Sequence, residues 1–338
     1  MFYFRADANS IIGSGHVMRC LSIADAMRSI GCNSTFITAD HEAETLITSR
    51  GYGLICMDTQ WDDLESEVGK LTELIRNHGI EQLVIDSYYV TEEYLNSIRL
   101  NTRIIYMDDL NRFRYPVDVL INYNIYALNI PYHQMYKDNT RLLLGCSYTP
   151  LRAEFVGKHF EIRDQVRDIL VSTGGSDPLN MAGKLMRYVN NTGKFADINF
   201  HIVVGSFNRN KVILADLAEK YINIHLHYQV SEMSELMTAC DLAISAGGST
   251  LYELCACGIP SISYSFADNQ LEGVREFHRQ DIIKYAGDIR WEEELCLQEI
   301  EASLSQMSSD TQLRRKLSAH MQSLVDGLGA VRIIQQIL

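Results

Sequence analysis

This 338-residue chain lacks a cluster of basic residues, a membrane-length apolar run and a cysteine pair with zinc-ligand spacing. Formal charge is −13, and the segments before and after residue 152 carry −6 and −7. Proteins that grip nucleic acid or anionic membranes concentrate positive charge, so neither partner is expected. No stretch of 18 apolar residues marks a membrane span, and the first residues read as a strand rather than a signal peptide. A cytoplasmic protein is therefore expected. The eight cysteines are scattered, and only Cys255 and Cys257 lie close, with a one-residue gap that zinc sites rarely use. Reduced thiols, no resident metal and no cofactor are the expectation. His225 and His227 share a face if extended, but the sequence offers them no evident third ligand. Neither a Gly-Lys-Ser/Thr ending nor a Gly-x-Ser-x-Gly elbow is present, which argues against a Walker-type ATPase and an α/β-hydrolase.

What is present is alternation. Apolar runs at 2–4, 33–38, 54–57, 82–86, 103–107, 119–122 and 142–145 predict strands. Amphipathic stretches at 17–30, 43–50, 64–78 and 91–100 predict helices between them. Such βαβ order predicts a parallel sheet covered on both faces. The pattern restarts after a connector at 146–155, with predicted strands at 167–173, 200–204, 223–225, 242–245 and 261–264. Two Rossmann-like domains follow, 1–152 and 153–315. Helical pieces at 316–338 are expected to pack back towards the first.

Both halves open with strand, glycine turn and helix. Gly13 and Gly15 flank the first turn and put His16 at a helix start, where N–H groups and the helix dipole favour anions. An imidazole there can exchange protons near neutral pH, its ordinary pKa being about 6.5. Gly174 and Gly175 form the second turn. The most specific string is Ser245-Ala-Gly-Gly-Ser-Thr-Leu-Tyr-Glu253, closed by Gly258 and Pro260. A buried strand, a turn at Gly247, Gly248 and Ser249, and a helix from Thr250 would cradle a diphosphate, with Glu253 able to accept from ribose hydroxyls. Ligands of open α/β sheets bind beyond the carboxyl ends of strands, so the turns are expected to face each other across a cleft. Asp86-Ser-Tyr88-Tyr89 and Asp108-Asp109 also end strands. The adjacent carboxylates point in different directions and suit a structural turn better than a Mg²⁺ site. Asn269 and Gln270 follow a strand and can either offer amides to sugar hydroxyls or cap the loop.

Taken in order, these strings resemble the UDP-sugar hydrolases of pseudaminic acid biosynthesis. Those enzymes act on UDP-2,4-diacetamido-2,4,6-trideoxy-β-L-altropyranose. They are in turn similar to GT-B glycosyltransferases of the peptidoglycan N-acetylglucosaminyltransferase type. The likeness rests on Arg5-Ala-Asp7, Ile12-Gly-Ser-Gly-His16-Val-Met-Arg19, Ile85-Asp86-Ser-Tyr88, Met107-Asp108-Asp109 and Asp118-Val-Leu-Ile-Asn122. It continues through Leu144-Gly145-Cys-Ser-Tyr148, Leu151-Arg152, Glu154-Phe155, Gly174-Gly175-Ser-Asp177 and the 245–253 string. Coat-polysaccharide proteins of spore formers look similar.

The resemblance implies the GT-B fold and a metal-independent, inverting attack of water on the anomeric carbon. His16 would be the general base and Tyr88 a supporting residue. The substrate would be held through Gly13, Gly15, Arg19, Gly174, Gly175, Gly248, Ser249, Thr250, Glu253, Asn269 and Gln270, with UDP mainly on the C-terminal domain. Ser87 departs from family members that carry a histidine before the tyrosine. The alternatives are a glycosyltransferase using a UDP-amino sugar and a UDP-sugar binding protein without catalysis. The acidic first half argues against a lipid acceptor.

Overall fold

In the computed structural model, which describes residues 1–137 and 140–338, the apolar runs become two sheets in which every strand pairing is parallel. The first sheet contains β1 (Phe2–Ala6), β2 (Ser34–Thr38), β3 (Gly53–Cys56), β4 (Gln82–Asp86), β5 (Arg103–Met107), β6 (Val119–Asn122) and β7 (Arg141–Leu144) in the order β3-β2-β1-β4-β5-β6-β7. The second contains β8 (Asp168–Ser172), β9 (Asn199–Val204), β10 (Ile224–Tyr228), β11 (Leu242–Ala246), β12 (Ser261–Ser265) and β13 (Lys284–Asp288) in the order β10-β9-β8-β11-β12-β13. The central strands β1, β6, β11 and β12 are buried at every position. They read as near-continuous apolar or small residues because parallel sheets are covered on both faces.

Strand β13 was not expected from sequence. Lys-Tyr-Ala-Gly-Asp is only partly buried, and its pairing with β12 shifts register between Ser263 and Ser265. An edge strand needs no apolar run, so hydrophobic patterning misses it. The predicted helix 64–78 is a 3₁₀ turn (Leu64–Glu67) followed by a helix (Val68–His78), and the one at 43–50 shrinks to Glu44–Thr48.

The chain groups into two compact units, Met1–Ala153 with Leu328–Leu338, and Glu154–Gly327. The helix Thr311–Leu324 runs through the expected 315/316 boundary and stays with the second unit. The last helix, Gly329–Ile337, belongs to the first, packing against the helix Gly15–Ser29. Its opening residue has to be glycine, since a Cβ on Gly329 would lie 2.1 Å from the carbonyl oxygen of Thr149. Among the described residues no helix is long and apolar enough to cross a membrane. None of the eight cysteines forms a disulfide among the described residues.

Candidate active site

In the first sheet the strand order reverses between β1 and β4, the topological switch point where open α/β sheets bind ligands. The side chains that meet there come from both strands' exits. Asp86 ends β4, and the loop after β1 leads into the helix that carries His16 and Arg19. Asn9 braces that loop, its Oδ1 accepting the N–H groups of Ile11 and Ile12. Gly13, in the left-handed region at φ 73°, donates its N–H to the Asn9 carbonyl, and Ser14 gives the helix no side-chain cap.

His16 Nδ1 lies 2.6 Å from Asp86 Oδ1. A carboxylate at that distance requires Nδ1 to carry the proton, which assigns the tautomer and leaves a lone pair on Nε2. Among the described residues nothing bonds to Nε2. Arg19 grips the same carboxylate, Nε to Oδ2 and Nη2 to Oδ1, both at 2.5 Å. Its Nη1 donates to Tyr123 Oη at 2.9 Å and pairs with Asp109 Oδ2 at 2.8 Å. Burial alone would push the Asp86 carboxyl up, but Arg19 and His16 outweigh it and hold it well below the usual carboxylate range.

Asp86 titrates lower in the native state than in the unfolded chain, where Asp is near 3.9. Its contribution to stability is therefore complete above about pH 4 and is lost as pH falls further. Denaturant titrations between about pH 5 and 2 should show a steeper acid loss in wild type than in Asp86→Asn.

The Tyr88 ring stands edge-on to His16, centroids 4.4 Å apart, and its hydroxyl donates to Asp109 Oδ2 at 3.1 Å. The two residues expected to do chemistry are thus neighbours. Asp7, Ile12, His16, Trp61, Asp86, Ser87, Tyr88 and Tyr89 line an open depression. His16 is only 5 % exposed, yet its ring forms part of that wall.

One expected role needs correction. Arg19 is not placed to bind phosphate, because its guanidinium is spent on Asp86, Asp109 and Tyr123 inside the first unit. It is the charge that makes the carboxylate cluster tolerable. Asp108 and Asp109 divide as well. Asp108 forms the turn, accepting from the N–H groups of Leu110 and Asn111 and from Tyr132, and burial pushes its carboxyl up. Asp109 joins the site through Arg19 and Tyr88. Sequence reading missed Asp86 and Asp109 as partners; their only signal was a carboxylate at a strand's carboxyl end.

In the second unit both glycine turns also lie at the switch point, here between β8 and β11. The Gly175 carbonyl packs on Gly205, where a Cβ would come within 2.3 Å of it. The helix after Gly174-Gly175 is not open to an anion. Asp177 already accepts from the N–H groups of Met181 and Ala182, which counts against a helix-terminus role for that turn. The turn at Gly247, Gly248 and Ser249 differs, because the helix Thr250–Cys257 starts without a side-chain cap. Gly247 donates to the Tyr264 carbonyl, and the buried Tyr264 hydroxyl has no partner among the described residues. Glu253 lies one turn inside that helix, half-buried. Asn269 is exposed on the helix Asp268–Arg279. Gln270 takes the capping option, its Oε1 accepting the Phe266 N–H at 3.0 Å.

Two donor clusters lie elsewhere. Register pairs His201 with His225, adding the third imidazole that the sequence did not show. Both His201 nitrogens are engaged, by His227 and Asp168 at 3.0 Å each. His41, Cys56 and Asp58 bring metal-type donor atoms within 4.8 Å of one another near the ends of β2 and β3.

Comparison with known proteins agrees with this architecture. Residues 169–326 match the family described as Glycosyltransferase family 28 C-terminal domain. The spore coat polysaccharide biosynthesis protein SpsG of Bacillus subtilis is 27 % identical over 336 residues, covering 97 % of this chain and 95 % of its own. The UDP-2,4-diacetamido-2,4,6-trideoxy-β-L-altropyranose hydrolase of Campylobacter jejuni is 27 % identical over 253 residues, 74 % of this chain and 86 % of its own. The solved structure of Acinetobacter baumannii MurG superposes with a TM-score of 0.69 at 13 % identity, covering 99 % of this chain and 98 % of MurG. The fold is GT-B. Within this GT-B chain the family match falls inside the second unit, while the His16 cluster lies in the first.

Proposed function

We propose that the protein is a UDP-sugar hydrolase that releases UDP and 2,4-diacetamido-2,4,6-trideoxy-L-altrose, a reaction of pseudaminic acid biosynthesis. The observation that carries this reading is the Asp86–His16 pair, whose Nε2 keeps its lone pair on the wall of an open depression. The name of the Campylobacter relative supports the substrate. In this scheme Nε2 takes a proton from water while the water oxygen bonds to the anomeric carbon. The bond from that carbon to the diphosphate oxygen breaks, and UDP leaves with the electron pair. Asp86 stabilises the imidazolium that forms, and a positioned base of this kind is worth roughly 10²–10⁴ in rate. Ser249 and Thr250, at the uncapped start of their helix, would receive the diphosphate, whose developing charge suits a helix N-terminus. Glu253 would meet the ribose.

A transferase is the second reading, favoured by the glycosyltransferase family match over 169–326. One assay separates them. Purified protein, the UDP-sugar and heavy-oxygen water should give UDP and free sugar with no acceptor added, and the label should enter the sugar rather than UDP. Release that depends on an acceptor would favour the transferase. Absence of any release would reject the hydrolase.

A further inference from the structure

Around His16 the depression is walled mainly by rings. Trp61 and Tyr89 meet edge to face with centroids 5.2 Å apart, and Ile12 and Tyr88 complete the apolar lining. Tyr89 is 39 % exposed, so the wall is open to a ligand. The charged acceptors that line the depression are already spent. Asp7 accepts from the Ala39 N–H at 2.7 Å and from Arg5, and Asp86 is held by His16 and Arg19. Carboxylates are the groups that usually take sugar hydroxyls, because an ionised acceptor makes the stronger bond. Besides His16 Nε2, the polar side-chain groups left among the lining residues include the Trp61 indole N–H and the Ser87 and Tyr89 hydroxyls; the Ser87 oxygen accepts from the Tyr89 N–H at 3.2 Å. Such tips suit carbonyl oxygens.

We propose that Trp61, with Tyr89, forms the subsite for the sugar ring and sorts sugars by how few hydroxyls they bring to it. This inference rests on the UDP-sugar reading above. A ring rich in N-acyl carbonyls and methyl groups covers the aromatic faces and satisfies the donors. A hydroxyl pressed onto the same wall gives up its water for neutral partners only, His16 Nε2 and the Ser87 and Tyr89 oxygens, which bind it more weakly than an ionised acceptor would. The loop that holds Trp61 is fixed from behind, since Glu67, six residues on, chelates the buried Arg5.

The chain has two tryptophans, and Trp291 is 79 % exposed on the second unit, so Trp291→Phe leaves Trp61 as the sole indole reporter. In that background, UDP-2-acetamido-2,6-dideoxyglucose should change Trp61 emission, whereas UDP alone should not. Calorimetry should show wild type preferring this ligand over UDP-N-acetylglucosamine, which differs by one hydroxyl. Trp61→Ala should weaken the deoxy ligand by roughly 10- to 200-fold, the range for a lost apolar contact, and erase the preference. Trp61→Phe should keep most of it. Nucleotide-sugar binding that leaves Trp61 emission unchanged, or no preference in wild type, overturns this inference while the UDP-sugar reading stands. Failure of every nucleotide sugar to bind removes both.

Discussion

His16→Ala should lower kcat by about 10²–10⁴ and leave UDP affinity within about twofold of wild type. The split follows from where the groups sit. The imidazole is in the first unit and the turn at Gly248, Ser249 and Thr250 is in the second. Removing the ring does not expose a buried charge either, because Arg19 still holds Asp86 through Nε and Nη2. Folding should survive, so a loss of turnover would report chemistry. Asp86→Asn tests the same assignment from the other side. The amide no longer demands a proton on Nδ1, so the tautomer with a lone pair on Nε2 loses its enforcement. It should cut kcat less than His16→Ala, while KM stays close to wild type. Steady-state kinetics with calorimetric titration of UDP decide both. Unchanged turnover in His16→Ala rejects the base.

The second large effect concerns stability. Arg5 is fully buried in the central strand β1, with Nε and Nη2 bonded to the two Glu67 oxygens at 2.9 and 2.8 Å and Nη1 to Asp7 at 2.5 Å. The Tyr94 hydroxyl also donates to Glu67 at 2.9 Å. Glu67→Ala leaves a guanidinium with only half its charge partners in a dry interior, and breaking such a pair costs about 3–5 kcal/mol. For a unit of this size that is a fall in Tm of about 6–20 °C. A double variant, Arg5→Met with Glu67→Leu, should recover part of the loss by removing both charges together. Denaturant titrations of the three proteins test this. A Glu67→Ala cost below about 1 kcal/mol would mean that the pair is not desolvated as described.

Part of this organisation is visible in the linear order of residues. Strand and helix alternation needs only periodicity, because a strand covered on both faces is largely apolar. The glycine turns were legible for a similar reason, since Gly13 and Gly174 adopt positive φ and the helices that follow announce themselves by pattern. Strand β13 escaped because an edge strand needs no such run. The His16 cluster was legible only in part. His16 and Tyr88 could be singled out by position and family likeness, but nothing local says that Asp86 lies 2.6 Å from the imidazole. Nor does it say that Arg19 turns inward rather than towards phosphate.

What the sequence by itself determined is the repeated strand–turn–helix order, the acidic balance and the residues at the turns. These depend on neighbours a few positions apart. Only the tertiary structure decided which carboxylates meet His16 and that the last helix joins the first unit. Those contacts span 70 residues in the case of His16 and Asp86. The His16–Asp86 contact exists because β1 and β4 lie side by side at the switch point, a pairing that chain folding sets and local patterning does not encode.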